Sequence, residues 1–289
     1  MPIVEVSDIA QEGLWVYTHL SDAKLRASDA AEHGLFVAES SKVIERALDA
    51  GIVPYSMFVE DRWLEQSLPL IERMQRAKPD IPVFRVDHAQ MSAITGFQVT
   101  RGALAAFERP PQPSLGELLA GAHRIAVLED ITNFTNIGSI FRSAAALGID
   151  GIVLTKRCHD PLYKRAARVS MGAVFQVPWV HLQDQEFAED VVPYLHARGF
   201  TVAAMDLSEG AVDIREPKLQ HIERLALVLG TEGDGIAPRT RQAADLCIEI
   251  PMAHGVDSLN VAAASTLAFW ELRWRGAEDT AGVPTPQDG

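Results

Sequence analysis

Three segments in the second half of the chain place polar side chains beside the ends of predicted strands. In the first, DITNFTNIGSIFRSAAALG, a strand ends near Asp130 and a helix is predicted to begin near Ile137. Asn136 lies at the mouth of that helix and Arg142 about one turn inside it. Because open parallel sheets bind ligands at such strand ends, the amide and the guanidinium indicate a ligand site. The structural alternative makes Asn136 a helix cap and Arg142 a surface residue.

The second segment, LALVLGTEGDGI, runs from a strand into a turn with three glycines around Glu232. Gly230, Gly233 and Gly235 permit backbone conformations that other residues resist, and they leave room for a flat ligand against the main chain. Their G-x-x-G-x-G spacing differs from the G-x-G-x-x-G of a dinucleotide-binding loop. A ligand-binding loop and a plain turn are both compatible with this pattern.

The third segment, IEIPMAHGVDSLNVAAAS, is a predicted strand, a loop and the start of the final helix. Ser258 and Asn260 fall at that helix start, and the structural alternative makes Ser258 a helix cap. Asn260 lies beside an otherwise apolar helix, and a buried amide without partners costs about 1–3 kcal/mol. A ligand or a catalytic arginine would satisfy that amide.

Strand-like runs alternate with helix-like stretches around these three segments, which favours a mainly parallel sheet covered by helices. The final helix is predicted from position 257 or 258 to 275, and its apolar content implies burial against the sheet or at a subunit interface. The tail from Gly276 is small, polar and rich in proline and glycine, so we expect it to be disordered. The strand-like runs are HRIAVLED, GIVLT, AVFQVPWV, FTVAAMD, LALVLG and LCIEIP.

The first half of the chain reads as a separate, smaller α/β domain. Strands are predicted at GLFVAES, IVPYSMFVE, IPVFRV and residues 98–106, and helices at residues 41–50 and 61–77. Three prolines in FERPPQPSLG then indicate a semi-rigid linker between two domains. A length of 289 residues also fits two domains.

Charge limits the partners that the chain can bind. With 39 acidic against 26 basic residues the net charge is −13, which argues against an indiscriminate binder of polyanions. Any nucleic-acid contact must therefore use a local patch. Residues 156–168 offer one, with five cations against Asp160 alone; a solvated charged surface is the alternative. The five cations are Lys156, Arg157, Lys164, Arg165 and Arg168.

Several classes of protein are disfavoured by what the sequence lacks. The two cysteines, Cys158 and Cys247, have no metal-binding spacing and are expected to be reduced, so no metal site is predicted. No apolar run approaches the roughly 20 residues of a membrane span. The first residues do not resemble an export signal, and a cytoplasmic location is expected.

The order and spacing of the three segments resemble the three motifs of the SpoU/TrmH family of RNA ribose 2′-O-methyltransferases, part of the SPOUT superfamily. N-x-G-x-x-x-R comes first, G-x-E-G-x-G follows a strand, and I-P-M with S-L-N-V precedes the last helix. CHDPLYKRAARVSMGAVFQVPW is similar to the family's segment between the first two motifs. GLFVAESSKVIERALDAG and TGFQVTRGALAAFE resemble its substrate-binding domain. The resemblance spans roughly residues 20–275.

This resemblance implies a C-terminal α/β domain at residues 118–275, with a mainly parallel sheet flanked by helices. The C-terminal part of this domain would thread through a loop to form a deep trefoil knot. The resemblance further implies a smaller N-terminal α/β RNA-binding domain at residues 20–107, after an N-terminal extension of residues 1–19. A linker at 108–117 and a tail at 276–289 complete the organisation. The knot would hold S-adenosyl-L-methionine, with contacts at Gly230, Ile250, Met252 and Leu259.

The implied reaction is in-line transfer of the sulfonium methyl group to a ribose 2′-hydroxyl. Arg142 is then the central catalytic residue with Asn136 nearby, and Glu232, Ser258 and Asn260 support the site. Since a guanidinium has a pKa above 12, it is an awkward general base. Proton removal assisted by a substrate phosphate, orientation and charge stabilisation are all open roles for Arg142.

The family also implies a homodimer and an RNA substrate, with ribosomal RNA favoured over transfer RNA by the separate N-terminal domain. Residues 156–168 would meet that RNA. A knotted protein that binds RNA or cofactor without catalysis is the alternative, and base methylation is a second. A nucleotide-dependent metabolic enzyme is disfavoured because the chain has no phosphate-binding loop.

Overall fold

The structure, a computed structural model, describes residues 3–6, 11, 13–18, 22–95 and 103–274. The predicted tail, and residues 98–102 of one predicted strand, lie outside the described residues. Contacts between residues group the chain into two units. The N-terminal unit comprises Met1–Pro113, Thr132–Arg142 and His159–Pro178. The C-terminal unit comprises Ser114–Ile131, Ser143–Cys158 and Trp179–Gly289.

The first half of the chain forms a five-stranded sheet with its helices. Its elements are β1 (Ile3–Glu5), α1 (Asp22–Arg26), β2 (Leu35–Glu39), α2 (Ser41–Asp49), β3 (Pro54–Glu60), α3 (Leu64–Ala77), β4 (Val83–Val86), α4 (His88–Thr95) and β5 (Ala103–Glu108). The strand order is β1-β4-β3-β5-β2, in which only β5 runs antiparallel to its neighbours. The predicted α/β class of this half is confirmed.

The second half forms a seven-stranded sheet in which every pair of neighbours is parallel. The strand order is β10-β12-β9-β11-β6-β7-β8, which confirms the predicted parallel sheet flanked by helices. The elements are α5 (Leu115–Leu119), β6 (Arg124–Leu128), α6 (Phe134–Leu147), β7 (Gly151–Leu154), α7 (Lys164–Val169), β8 (Trp179–His181), α8 (Val192–His196), β9 (Thr201–Met205), β10 (Val212–Asp213), α9 (Pro217–Gln220), β11 (Leu225–Leu229), α10 (Pro238–Ala243), β12 (Leu246–Glu249) and α11 (Val261–Glu271).

The strands of this sheet are buried because their sequences are almost continuously apolar. Every residue of β6, β7 and β11 is inaccessible to solvent, as expected when helices cover both faces of a parallel sheet. A core of leucine, valine and phenylalanine side chains from α5, α8 and the central strands lies on one face. The sheet therefore gives a rigid base for the loops at its edges.

Two element predictions need correction. Only the last two residues of the run AVFQVPWV, Trp179 and Val180, are in a strand, because Ala173–Phe175 forms a 3₁₀ helix after the left-handed Gly172. The final helix begins at Val261 and not at 257 or 258. It also buries one face only, since Leu267 and Trp270 remain about half exposed.

The segment His159–Pro178 packs within the N-terminal unit through aromatic contacts. The ring of Phe36 in β2 lies 5.6 Å from that of Phe175 and 5.6 Å from that of Phe107. All five residues of β2 are buried although it is the outermost strand of its sheet. This segment therefore covers an edge strand that would otherwise offer unpaired backbone groups.

Both cysteines are free. The Cys158 thiol is buried, donates to the Leu128 carbonyl at 3.0 Å and accepts from the Ile131 amide at 3.3 Å. Burial raises the pKa of Cys158 to about 11, so its thiol is unreactive near neutral pH. No helix in the described ranges is both long and apolar enough to cross a membrane.

A fully buried arginine joins distant parts of the C-terminal unit. Arg124 at the start of β6 donates from Nε to the Leu272 carbonyl at 2.6 Å and from Nη2 to the Ile222 carbonyl at 2.8 Å. Its Nη1 donates to the Glu223 carbonyl at 2.9 Å, and the Trp274 ring centre lies 5.2 Å from its guanidinium carbon. Burial lowers the pKa of Arg124 to about 10. The guanidinium thus fixes the end of the chain's last helix to the sheet.

Replacing Arg124 by leucine is expected to lower the free energy of unfolding by about 3 kcal/mol, because several main-chain carbonyls lose their donor. Urea denaturation followed by circular dichroism measures the change. Arg215→Leu is the matched control, since Arg215 is exposed and, among the described residues, forms its ion pair with the nearby Asp213. Equal denaturation midpoints for the two variants would contradict the role given to Arg124.

Candidate functional site

A cavity of about 620 Å³ opens at the carboxyl ends of three neighbouring strands, β12, β9 and β11. This volume lies within the range of small-molecule sites, and strand ends of this kind are where parallel sheets bind ligands. Four segments form the walls. They are 205–207 after β9, 229–235 after β11, 248–252 with β12, and 257–264 leading into α11.

The glycine-rich loop folds tightly against the end of β11. Thr231 and Gly235 exchange two backbone hydrogen bonds, of 3.1 and 3.2 Å, and Gly233 and Gly235 have φ values of 101° and 67°. A Cβ atom on Gly230 would lie 2.4 Å from the carbonyl carbon of Gly235. The close approach predicted at Gly230 is therefore made by the loop's own main chain, which shapes the cavity wall.

Asn260 joins that loop to the last helix. Its Oδ1 accepts hydrogen bonds from the Ala262 amide at 3.0 Å and the Ala263 amide at 3.4 Å, so it caps α11. Its Nδ2 donates to Oε1 of Glu232. The alternative in which Ser258 caps the helix is wrong because Asn260 is the cap, and the expectation of a buried amide is wrong because Asn260 is exposed. The amide forms these bonds in place of those expected from a ligand or an arginine.

The apolar residues predicted to bind the cofactor also line the cavity. Ile250, Met252, Leu259 and Gly230 are all among its lining residues. Ser258 lines the cavity as well, and its hydroxyl has no hydrogen-bond partner among the described residues. Two aliphatic side chains and a thioether beside a glycine form a surface suited to a flat aromatic ring.

Asn136 and Arg142 are not among the lining residues. Helix α6 begins at Phe134 and not near Ile137, because Asn133 accepts from the Thr135 amide at 2.8 Å and starts the helix earlier. Asn136 is therefore a buried residue inside the helix, and Arg142 lies more than two turns from its start.

The Arg142 guanidinium is exposed and has no ion-pair or hydrogen-bond partner in the part of the chain that the structure describes. The next residue, Ser143, is hydrogen-bonded to Thr266 of α11 at 2.7 Å. That bond fixes the second half of α6 to the helix whose first residues line the cavity. An unpaired guanidinium at this position is available to an anionic or hydroxyl-bearing ligand.

Two parts of the site were missed by sequence reasoning. Asp206 follows β9, lines the cavity and forms an ion pair with Arg241 at 2.6 Å. The buried carboxylate of Glu129, just after β6, accepts from Thr240 and from the Ala237 amide at 2.9 Å, which anchors the segment after the glycine loop. The usable signal was an acidic residue directly after an apolar strand, as in FTVAAMD and HRIAVLED.

The predicted basic patch is divided between the two units. Lys156 and Arg157 belong to the C-terminal unit, and Lys164, Arg165 and Arg168 to the N-terminal one. Arg157 pairs with Asp130 at 3.3 Å.

The acid counted against this patch, Asp160, is buried within the N-terminal unit. It pairs there with Arg109 at 2.6 Å and Arg26 at 3.2 Å. Arg165 is exposed and has no partner among the described residues. Groups of three or more potential metal ligands are absent from the described residues.

Asn260→Ala is expected to destabilise the protein by about 1 kcal/mol, because two amides of α11 lose their cap. Asn260→Asp keeps an acceptor for those amides but sets a carboxylate against Glu232, so it separates the capping bond from the bond to the loop. Ser258→Ala is the matched control and is expected to leave the thermal midpoint unchanged. Differential scanning calorimetry measures all three, and a larger loss for Ser258→Ala than for Asn260→Ala would contradict the assignment.

Known proteins share both the sequence and the fold of this chain. Residues 123–270 match the sequence model of the SpoU rRNA methylase family. An uncharacterized tRNA/rRNA methyltransferase of Mycobacterium bovis is 38% identical over 244 residues, which cover 82% of this chain and 80% of that protein.

Solved structures extend the similarity to nearly the whole chain. An AdoMet-bound rRNA methyltransferase from Sinorhizobium meliloti has a TM-score of 0.77 and 26% identity, over 93% of this chain and 97% of its own. The SpoU methyltransferase AviRb from Streptomyces viridochromogenes, in complex with AdoMet, shares the fold at a TM-score of 0.71 and 21% identity, over 91% and 97% of the two chains. The sequence model and the 38% identity together show that this chain belongs to the SpoU/TrmH family of RNA methyltransferases, as its three motifs predicted.

Proposed function

We propose that this protein transfers a methyl group from S-adenosylmethionine to a ribose 2′-hydroxyl of RNA, with ribosomal RNA as the substrate class. The observation that carries the proposal is the cavity at the ends of β9, β11 and β12, which gathers seven of the nine predicted catalytic and cofactor-binding residues. AdoMet-bound relatives of the same fold support the choice of cofactor.

The cavity residues fit this cofactor in size and in chemistry. Ile250, Met252 and Leu259 would hold the adenine ring, and the main chain at Gly230 would hold its polar edge. Bound S-adenosylmethionine supplies an electrophilic methyl group on a sulfonium centre. Carboxylates at the cavity, Asp206 and Glu232 among them, complement the positive charge of that group.

Arg142 is assigned to the nucleophile. A ribose 2′-hydroxyl must be aimed at the methyl group and must lose its proton as the new bond forms. Because a guanidinium remains protonated and has no acceptor, Arg142 acts by orienting the hydroxyl and stabilising the charge that develops on its oxygen, while the hydroxyl proton passes to a substrate phosphate oxygen or to water. Its exposed, unpaired side chain is consistent with this role. Asn136, Ser258 and Asn260 support the arrangement.

The RNA is assigned to the N-terminal domain, residues 20–107, and to the cations of residues 156–168. The methyltransferase domain is assigned to residues 118–275, with the trefoil knot around the cavity and a linker at residues 108–117. Ribosomal RNA is preferred to transfer RNA because a separate substrate domain suits a large folded RNA, in which loops and bulges expose their bases.

The active form is assigned as a homodimer that pairs through α11. Leu267 and Trp270 lie three residues apart on α11 and are 48% and 55% exposed, which places two neighbouring apolar side chains on one face of the helix. Sedimentation velocity is expected to give twice the 31.6 kDa chain mass, and Trp270→Asp to give the monomer. Leu68→Asp, at an exposed apolar position of α3, is the matched control. A monomeric wild-type protein would contradict the dimer.

Arg142→Ala is expected to lower methyl transfer by at least about 100-fold, because the developing charge loses its guanidinium partner. S-adenosylhomocysteine affinity, measured by calorimetry, should stay within about twofold of wild type if Arg142 acts on the nucleophile alone. Arg142→Lys keeps the charge but not the fork, so an intermediate rate is expected.

The assay uses RNA from cells lacking the gene, tritiated S-adenosylmethionine, and mass spectrometry of the digested nucleosides. 2′-O-methyl nucleosides are the expected product. Base-methylated nucleosides would contradict the ribose assignment. Cofactor and RNA binding without any transfer would favour a catalytically inactive binder.

A further inference from the structure

Two strands of the N-terminal sheet end in buried carboxylates at the same edge. Glu39 is the last residue of β2 and Glu60 the last residue of β3, and both are at most 3% exposed. Glu39 and Phe58 both pair with Leu104 of β5, so the two carboxylates lie at the same end of the sheet. We call this end, with Glu39 and Glu60, the carboxylate edge.

Each of these buried carboxylates contacts nitrogen donors of side chains that are themselves exposed. Glu39 accepts from Nη1 of Arg168 at 2.9 Å. Oε1 of Glu60 lies 2.7 Å from Nε of Arg62 and 3.1 Å from Nδ1 of His88. These three side chains are 50%, 57% and 59% exposed. At the carboxylate edge the nitrogen donors are therefore exposed to solvent, whereas the carboxylates of Glu39 and Glu60 are buried.

A purely structural ion pair does not explain this arrangement well. Burying a carboxylate is unfavourable, and a partner offsets the lost hydration only when the geometry of the pair is good and the remaining oxygen lone pairs are hydrogen-bonded. Arg62 is more than half exposed, and Oε2 of Glu60 is buried without a hydrogen-bond partner among the described residues. Such an unsatisfied group calls for an explanation outside stability.

The geometry at Arg62 prepares its guanidinium for an anion. Glu60 binds it through Nε, which leaves both Nη groups without a partner in the described part of the chain. Two adjacent Nη donors form the fork that grips two oxygens of a phosphate. The guanidinium carbon also lies 5.7 Å from the ring centre of Trp63. Because the side chain is already held, less entropy is lost on binding.

The carboxylate edge is continuous with the basic segment identified in the sequence. Arg168 belongs to both, since Glu39 fixes it to the sheet, and α7 also carries the exposed, unpaired Arg165. Several cations spaced along one surface suit a polymer of phosphates better than a single small anion. Because the chain has a net charge of −13, an RNA contact requires a local group of cations such as this one.

We infer that Arg62, with His88 beside it, binds a backbone phosphate of the substrate RNA and that Glu60 is the positioning residue that holds the Arg62 fork. This inference rests on the proposed function in one respect only, that RNA is the substrate.

The test measures the binding of a fluorescein-labelled RNA stem-loop to the full chain by fluorescence anisotropy over a range of KCl concentrations, without cofactor. Arg62→Ala is expected to weaken binding about fivefold and to lower the slope of log K against log salt by about one unit. Arg62→Lys should recover only part of the affinity, because lysine offers a point charge and no fork. Arg165→Ala should weaken binding in the same manner.

The Glu60→Gln variant distinguishes the role of Glu60 in holding Arg62 from the effect of its negative charge on RNA binding. Removal of a negative charge would by itself strengthen the binding of a polyanion, whereas loss of the residue that holds Arg62 weakens it. We expect weaker binding, by a factor similar to that of Arg62→Ala. Unchanged or tighter binding by Glu60→Gln would overturn the positioning role, and unchanged binding by Arg62→Ala would overturn the phosphate contact.

A second ion pair provides matched controls. Arg73 and Asp49 pair at 2.6 Å on α3 and α2, and both are exposed. Arg73→Ala and Asp49→Asn make the same chemical changes away from the carboxylate edge and are expected to leave RNA affinity at the wild-type value. Equal losses for Arg62→Ala and Arg73→Ala would also overturn the inference.

Thermal melting and S-adenosylhomocysteine affinity report whether each variant is folded. If Glu60→Gln has a lowered melting temperature, the RNA affinity of Arg62→Ala is compared with that of Arg73→Ala to test the phosphate contact, because both of these variants replace surface side chains. RNA binding that depends on Arg62, in a protein that transfers no methyl group, would contradict the proposed function and leave this inference standing.

Discussion

The parallel direction of all seven strands is the constraint on which the C-terminal unit depends. Every loop that follows a strand must emerge at the same edge, so residues far apart in the sequence meet there. Asp206, Gly230 and Ile250 follow three different strands, yet they line one cavity because β12, β9 and β11 are neighbours. The glycine loop and the Asn260 cap then close that edge, and both need the strand ends beneath them.

The parts of the site that the sequence predicted are those set by local composition. Apolar runs such as LALVL are long enough to be buried strands, and the glycines that follow mark a turn no bulky residue could form. The resemblance to a family predicted Ile250, Met252 and Leu259 as site residues, and in the structure all three line the same cavity. Their roles toward a cofactor remain proposals.

The parts that the sequence did not predict depend on choices between near neighbours or on contacts at long range. Asn133 and Asn136 can each cap a helix, as can Ser258 and Asn260, and propensity does not decide within either pair. In the structure, Asn133 accepts a hydrogen bond from the Thr135 amide and Asn260 accepts one from the Ala262 amide, so these two residues are the caps.

Long-range contacts account for the remaining differences. The buried Glu39 and its exposed partner Arg168 are 129 positions apart, and no periodicity reveals such a pair. Contacts also place His159–Pro178 with the N-terminal unit, although the chain reaches it only after β7.

The order of the strands also governs how this protein can be made. Arg124 pairs with Leu225, so β6 leaves the ribosome roughly one hundred residues before its partner β11 exists. During that interval an apolar central strand has a bare edge, and β7 is the only neighbour it can join. Completion of the sheet must therefore wait until almost the whole polypeptide has been synthesised, which exposes the nascent chain to aggregation and makes early engagement by chaperones valuable.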